Sequence, residues 1–429
     1  MLKKITTNTS FLCLLSSIIA FALAKGFGDN SWLSGDAPEI YSWILLLKNS
    51  FLALLKMLIA PLIFFSLLGG LFHIGELTRL RSLGKIAILY YLGTTFIAIL
   101  IGLTVVFFIH PWEAAGVQIS VDDIKSGTSA FAYSAPKQFI EQQATGLSDI
   151  LSKIFSKALV NPFESLMTNN ILGIVFAALM FGLCSIYVLP KENSLSKVVD
   201  EVNQILNQFL KVLIKFLPIG LFAIVFDLSL KVSSNIFESL LSFCLVVFGA
   251  TLVHGFIVLP LIAKFTTGIS YVELFRKIGK ALVVAFSTSS SSATLPVSME
   301  VAEKELGVSK SVSGFVFPLG ATMNMDGTAL FEGVAAVFLA YLFNVDLGPV
   351  GVISIFFMAM LSSVGAPGMP SGSMSAMQMV LLAAGIPLEG IGILLVVERP
   401  LDTFRTAVNV EGDIIGAAVV QSYLDKSKS

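Results

Sequence analysis

The chain has 429 residues, of which 55% are hydrophobic and only 13% charged, and its mean hydropathy is +0.88. That composition excludes an ordinary soluble domain and makes the lipid bilayer the natural solvent. A formal net charge of −1 supplies no field for nucleic acid, so no nucleic-acid partner is expected.

Lys3 and Lys4, the apolar run behind them and Ala22-Leu23-Ala24 imitate a cleavable signal peptide. The uncharged run over 5–24 is nevertheless as long as the ~20 residues that a spanning helix needs, and further spans follow it. It is expected to be a retained first helix. Further apolar stretches are centred on 45–75, 86–112, 165–190, 205–226 and 239–263. Arg79, Arg81 and Lys85 fall in one connection and Lys264, Arg276, Lys277 and Lys280 in another, while Asp29, Asp36 and Glu39 sit in the first. The positive-inside rule then puts the basic connections and both termini on the cytoplasmic side of a cell (inner) membrane. The polar stretch 114–157, with Asp122, Asp123 and Glu141, becomes an external loop. Cys13, Cys184 and Cys244 lack the C-x-x-C spacing of a metal or redox site and read as packing residues.

After residue 264 the apolar segments acquire glycine, proline and serine at their middles, where a lipid-exposed helix should be uninterrupted. Residues 281–299 hold Ser287, Thr288 and the run Ser289 to Ser292, ending in Thr294-Leu295-Pro296. The run from Leu347 to Leu388 carries no charge, is too long for one span, and breaks at 365–370. Both are expected to be re-entrant hairpins. Each precedes a helix studded with polar residues, 312–344 and 389–422. A hairpin-plus-helix unit given twice points to an inverted-repeat transporter with its site at mid-membrane.

The last helix carries Glu398, Asp402, Arg405, Thr406, Asn409 and Asp413 at steps of 4, 3, 1, 3 and 4 residues, which lines them along one face. Isolated charges in hydrocarbon cost at least ~2.5 kcal/mol each, so such a stripe implies pairing or a ligand. Arg405 can grip a carboxylate bidentately and Asp402 can accept from an ammonium, which together suit a zwitterionic diacid. The alternative is an Asp402 to Arg405 ion pair that neutralises itself. Asn324 and Asp326 offer hard oxygen ligands, and Gly327 lets the backbone unwind and free its carbonyls for Na+. Serines at a hairpin tip gather hydroxyls and amides suited to a carboxylate, although serine also packs helix interfaces.

These residues carry a resemblance. Ser289 to Pro296, Asn324-Met325-Asp326-Gly327-Thr328, Ser363 to Pro370 and Asp402 to Asp413 are similar to the motifs of the dicarboxylate/amino acid:cation symporters, the family of glutamate/aspartate and excitatory amino acid transporters. The resemblance covers nearly the whole chain and implies an all-α, multi-spanning elevator-type transporter. It implies eight transmembrane helices, two hairpins and a homotrimer. Segments 1–75 and 159–228 would form the trimerisation scaffold, and 84–112 and 236–422 the moving transport domain.

Site residues follow from the same motifs. Ser290 and Ser291 with nearby amides would hold the substrate α-carboxylate beside Thr406 and Asn409. Asp402 would take the amino group, and Arg405 with Thr328 the side-chain carboxylate. One Na+ site would use Asn324, Asn409, Asp413 and the Gly320 carbonyl. A second would use Asp326 and Asn324 with Tyr91, Thr94 and Thr95. A third would use carbonyls of Thr322, Ser363, Val364 and Ala366. Glu332 stands where animal glutamate transporters bind the coupled proton, which implies H+ alongside Na+. No cofactor and no enzymatic activity are expected.

The chain departs from the family at two points. It lacks a second arginine at Ser289 or Thr403, which Arg399, one turn before Thr403, would replace, and Glu398 stands in for an aspartate. A proton-coupled C4-dicarboxylate carrier is the nearest rival, opposed by Asp402, and a neutral amino acid exchanger should lack Arg405. An intramembrane aspartyl protease would need a Tyr-Asp motif and a leading glycine before Glu411-Gly412-Asp413. A serine hydrolase would need G-x-S-x-G, and His73, His110 and His254 show no pairing with the serine run. No phosphate-binding loop of the ATPases occurs.

Overall fold

The computed structural model describes residues 9–29, 31–32, 37–77, 83–110, 155–156, 158–168, 170–190, 193–231, 235–365, 372–387 and 390–428. The expected loop 114–157 falls almost entirely outside the described residues, as do Asp36, Arg79, Arg81 and Ala366. Every regular element among the described residues is helical.

The chain order begins with α1 (Thr9–Phe27), α2 (Glu39–Leu77), α3 (Leu83–Phe108), the short α4 (Pro162–Thr168) and α5 (Ile171–Val188). α6 (Ser194–Lys215) and α7 (Leu217–Lys231) come next. They meet at a 56° bend, where Pro218 cannot donate an amide, so the single stretch expected over 205–226 is two helices. α8 (Asn235–Val253) continues through a π-helical turn (His254–Val258) into α9 (Leu259–Thr267). Pro260 cannot bond to the carbonyl four residues back, and the wider turn absorbs that missing bond.

The first hairpin has arms α10 (Tyr271–Thr288) and α11 (Ser291–Glu305), longer than the 281–299 read from hydropathy because α10 starts as an amphipathic helix with Glu273 and Lys277 paired on its surface. α12 (Lys310–Met323) and α13 (Asp326–Leu342) are one helix broken at Asn324 and Met325, where φ, ψ leave the helical region. The second hairpin has arms α14 (Gly348–Gly365) and α15 (Ser373–Ala383), and α16 (Gly390–Lys428) closes the chain.

Three stretches among the described residues are long and apolar enough to cross a membrane: Gly84–Phe108, Glu238–Thr267 and Lys310–Leu342. The bent α6–α7 pair makes a fourth if it is one span. The first two are 44% buried within the protein and the third 94%, so α12 and α13 are interior elements surrounded by protein. Trp43, Leu46, Leu54 and Met57 on α2 and Phe181 and Leu183 on α5 are exposed, which suits lipid or another apolar surface and not water. Cys184 is exposed on α5, unlike the packing role expected for it, whereas Cys13 is buried.

α1 packs on α7, and α2 on α5, α6 and α7. α13 packs on α3, α8, α14 and α16, and α16 also lies against α9, α10, α11 and α12. The interior of the molecule is therefore built around α13 and α16, the two helices that carry the polar motifs.

Candidate functional site

The break between α12 and α13 creates the site. The first amides of α13 have no helical partner, and Asn409 of α16 supplies one: its Oδ1 accepts from the Gly327 amide at 2.8 Å. Gly327 is needed there, because a Cβ would stand 2.8 Å from the Arg405 carbonyl oxygen and 2.9 Å from its Cα. Backbone-to-backbone approach brings Thr328 to Asn409, whose Nδ2 donates to Thr328 Oγ1 at 3.4 Å. Asn324 Nδ2 donates to the Asn409 carbonyl and to Asp413 Oδ1, both at 3.0 Å. Its Oδ1 is buried and has no hydrogen-bond partner among the described residues. A Cβ on Gly320 would collide with Asp413 Oδ1 and lie 2.7 Å from the Tyr91 hydroxyl. Asn324, Asn409, Asp413 and Gly320 are therefore gathered at one place.

A second carboxylate sits across α13. Asp326 Oδ1 accepts from Thr95 Oγ1 at 2.7 Å and from Thr94 Oγ1 at 3.3 Å. Tyr91, expected beside them, donates its hydroxyl to the Val316 carbonyl at 3.0 Å and sits nearer Gly320. The sequence reading missed His254, whose Nε2 lies 3.0 Å from Asp326 Oδ2 with both side chains fully buried. His254 opens the π-helical turn, and such turns favour functional positions, but the sequence alone carries no mark of its pairing.

Arg405 is 1% exposed and lies with its guanidinium carbon 4.0 Å from the centre of the Phe331 ring. Its Nη2 donates to Glu398 Oε1 at 2.9 Å, to Asp402 Oδ1 at 3.0 Å and to Ser373 Oγ at 3.1 Å. Nε and Nη1 have no partner among the described residues. Asp402, expected to wait for an ammonium, thus accepts from Arg405, and its other oxygen is 3.6 Å from Arg399 Nη1. Arg399 turns towards Asp402 one turn ahead of it, and Glu398 takes its place beside Arg405.

At the tip of the first hairpin, Ser289 adopts a left-handed conformation with φ 48° and closes α10. Ser290 caps α11, its Oγ accepting from the Ala293 amide at 3.1 Å, so that hydroxyl is engaged locally. Ser291 is buried and Ser292 exposed. Thr406 of α16 is buried. In the second hairpin Ser363 Oγ donates to the Met360 carbonyl at 2.7 Å, and Thr322 and Val364 keep helical backbone. Glu332 is fully buried, with Ser362 Oγ as hydrogen-bond partner.

Buried carboxylates, hydroxyls and carbonyls around a broken helix, beside an arginine with free donors, form a place for small cations and an anionic group. A family model described as the sodium:dicarboxylate symporter family matches residues 13–423. The chain is 33% identical over 464 aligned residues to neutral amino acid transporter B(0) of Mus musculus, covering 99% of this chain and 83% of that protein. It is 31% identical to excitatory amino acid transporter 2 of Homo sapiens, covering 91% of this chain and 75% of that one. A Caenorhabditis elegans excitatory amino acid transporter is 28% identical, over 99% of this chain and 89% of its own length.

Proposed function

The chain belongs to the sodium:dicarboxylate symporter family, and from that premise we propose that it is a secondary active symporter carrying glutamate or aspartate together with Na+ and H+. The observation that carries the acidic substrate is Arg405: a buried guanidinium whose Nε and Nη1 donors have no partner among the described residues. Unmade hydrogen bonds of this kind cost ~1–3 kcal/mol each, and a substrate carboxylate would accept a charge-assisted hydrogen bond from one of them. In this reading Asp402 exchanges Arg405 for the substrate ammonium, and Thr328 stands beside the side-chain carboxylate. The turn at Ser290 and Ser291 holds the α-carboxylate, flanked by Thr406 and Asn409.

One Na+ site would use Asn324, Asn409, Asp413 and the Gly320 carbonyl, another Asp326, Asn324, Thr94, Thr95 and Tyr91, and another the carbonyls of Thr322, Ser363, Val364 and Ala366. The gathering of the first set and the Thr94 and Thr95 contacts of Asp326 support the first two. Glu332 would carry the proton. The eight spans would be α1, α2, α3, α5, α6–α7, α8–α9, α12–α13 and α16, with both termini cytoplasmic. The scaffold of a homotrimer would be α1, α2 and α5–α7, and α3 with α8–α16 would move as an elevator. The denser packing of α1 on α7 and of α2 on α5, α6 and α7, and that of α13 on α3 and α16, support that division.

A second reading, carriage of a neutral amino acid, has one observation in its favour. Glu398 already holds Arg405 Nη2 at 2.9 Å, so Glu398, Arg399, Asp402 and Arg405 sum to zero charge, and a zwitterion without a charged side chain leaves that sum intact. The names of the B(0) relatives lean the same way. Purified protein in liposomes under an inward Na+ gradient separates the readings by competition against labelled aspartate. Glutamate should compete strongly and serine weakly. Stronger competition by serine would replace the acidic reading with the neutral one, and proton-driven succinate uptake without Na+ would replace both with the dicarboxylate carrier.

A further inference from the structure

Glu332 lies in the middle of α13, fully buried, and its Oε1 has no hydrogen-bond partner among the described residues. Its other oxygen, Oε2, is within hydrogen-bond reach of Ser362 Oγ, near the end of α14. The same hydroxyl stands 2.9 Å from the Ala359 carbonyl, one turn earlier in α14. A serine hydroxyl has one hydrogen to give and lone pairs with which to accept. A carbonyl only accepts. Both contacts can therefore be hydrogen bonds at the same time only if the carboxyl of Glu332 brings a hydrogen of its own.

With Glu332 protonated, the two bonds run in series: Glu332 donates to Ser362 Oγ, and Ser362 donates to the Ala359 carbonyl. With Glu332 ionised, the single hydroxyl hydrogen turns to the carboxylate and the bond within α14 is released. No other side chain of the second hairpin could play this part by charge, since neither α14 nor α15 contains a titratable residue. Of the other elements packed against α13, α16 brings Arg405, which acts on Glu332 electrostatically and whose guanidinium lies over neighbouring Phe331. α3 faces α13 with Ile99 and Leu103, α8 with Phe243, and the titratable His254 is engaged at Asp326.

We propose that Ser362 is a positioning residue that reads the protonation state of Glu332 and passes it to the first arm of the second hairpin, so that proton uptake favours the seated position of α14. The inference rests on the assignment of the coupled proton to Glu332 and goes beyond it by naming how that proton reaches a hairpin. Ser362 directly precedes Ser363 and Val364, two of the residues proposed to hold the third Na+. Proton and cation would then act on the same turn of α14.

The test uses the full-length protein in liposomes at a fixed Na+ gradient, comparing labelled aspartate uptake with and without an inward proton gradient. The wild type should take up aspartate faster with the proton gradient, Glu332→Gln should give a ratio near one, and Ser362→Ala should lower the ratio towards one while keeping its Na+ dependence. Ser362→Thr, which keeps the hydroxyl, should restore it. Infrared difference spectra give a second readout: the carboxylic acid carbonyl band lost in Glu332→Gln should shift in Ser362→Ala, because one hydrogen-bond partner is gone. A wild type indifferent to the proton gradient overturns the proton assignment and this inference together. A responsive wild type and a silent Glu332→Gln, with Ser362→Ala unchanged in both ratio and band, overturns the role of Ser362 alone.

Discussion

Among the described residues charge is buried in two places, and the two are built differently. Between α2 and α7, Lys48 Nζ meets Asp227 Oδ2 at 2.6 Å and Tyr41 donates to Asp227 Oδ1 at 2.7 Å, with Trp32 and Phe226 packed around the phenol ring. The cation, the anion and the phenol satisfy one another. Along α13 and α16, the buried carboxylates are Asp326, Glu332, Glu398, Asp402, Glu411 and Asp413, beside the arginines Arg399 and Arg405 and His254 of the π-helical turn. Several buried polar atoms there have no partner among the described residues, among them Asn324 Oδ1, Glu332 Oε1, Glu411 Oε1 and Arg405 Nη1. The first cluster is closed and satisfies itself, whereas the second is open and leaves polar atoms unmatched among the described residues, which is what the proposed carriage of cations and substrate requires.

Removing Arg405 should break the open cluster most severely. Arg405→Ala is expected to abolish measurable aspartate uptake in liposomes, because losing one partner of a buried charge-assisted contact costs ~2–5 kcal/mol, tenfold or more in affinity. The variant should still purify as a folded membrane protein. Aspartate uptake equal to wild type would show that Arg405 closes on Glu398 and Asp402 permanently, as Lys48 does on Asp227.

Asp326→Asn sharpens the comparison from the cation side. The change keeps the shape and both threonine contacts but removes a charge, and hydrogen bonds and ligation to charged groups are worth ~1.5–3 kcal/mol. The Na+ concentration for half-maximal uptake should rise about tenfold or more, measured as initial rates over a Na+ series. An unchanged Na+ requirement would mean that Asp326 serves His254, 3.0 Å away, and no ion.

The closed cluster should answer in stability and not in transport. Breaking a buried pair from one side costs ~3–5 kcal/mol, so Lys48→Met should lower the temperature at which the solubilised protein loses its monodisperse elution. The double variant Lys48→Met/Asp227→Leu should recover most of the loss, since two apolar groups leave no uncompensated charge. Uptake per folded protein should stay at the wild-type level in both.

Much of the open cluster was legible in the sequence, and the closed one was not. Asn-Met-Asp-Gly-Thr inside an apolar stretch announces a broken helix, because a membrane helix without polar function has no reason to hold it, and α12 and α13 break at Asn324 and Met325. The stripe on α16 was legible because its spacing is a property of one helix. Even Glu398 on Arg405, seven residues on, lay within that spacing, although the reading reserved Arg405 for a ligand. Partnerships between helices were not legible. Asp326 with His254 spans 72 residues, Glu332 with Ser362 spans 30, and Lys48 with Asp227 spans 179. Such pairs depend on the rotation and register of two packed helices, which hydropathy does not encode.

Ser290 tests the boundary between the two kinds of cluster with the smallest expected effect. Its side chain was read from sequence as part of an anion cradle, yet its Oγ accepts from the Ala293 amide at 3.1 Å and so closes the first turn of α11. Replacing an N-cap serine by alanine costs ~1 kcal/mol, and that cost falls on the local geometry of the hairpin tip. If the hydroxyl is a cap and the cradle is made by backbone amides, Ser290→Ala should reduce thermal stability slightly, and Ser290→Asp or Ser290→Asn should differ sharply from each other. Asparagine caps as well as serine does, whereas aspartate caps equally but brings a negative charge to the place where a carboxylate is to bind. The expected order of aspartate affinity is wild type, then Ser290→Asn close behind, then Ser290→Ala, with Ser290→Asp well below all three. Equal affinity for the Asp and Asn variants would put the substrate carboxylate somewhere other than this tip.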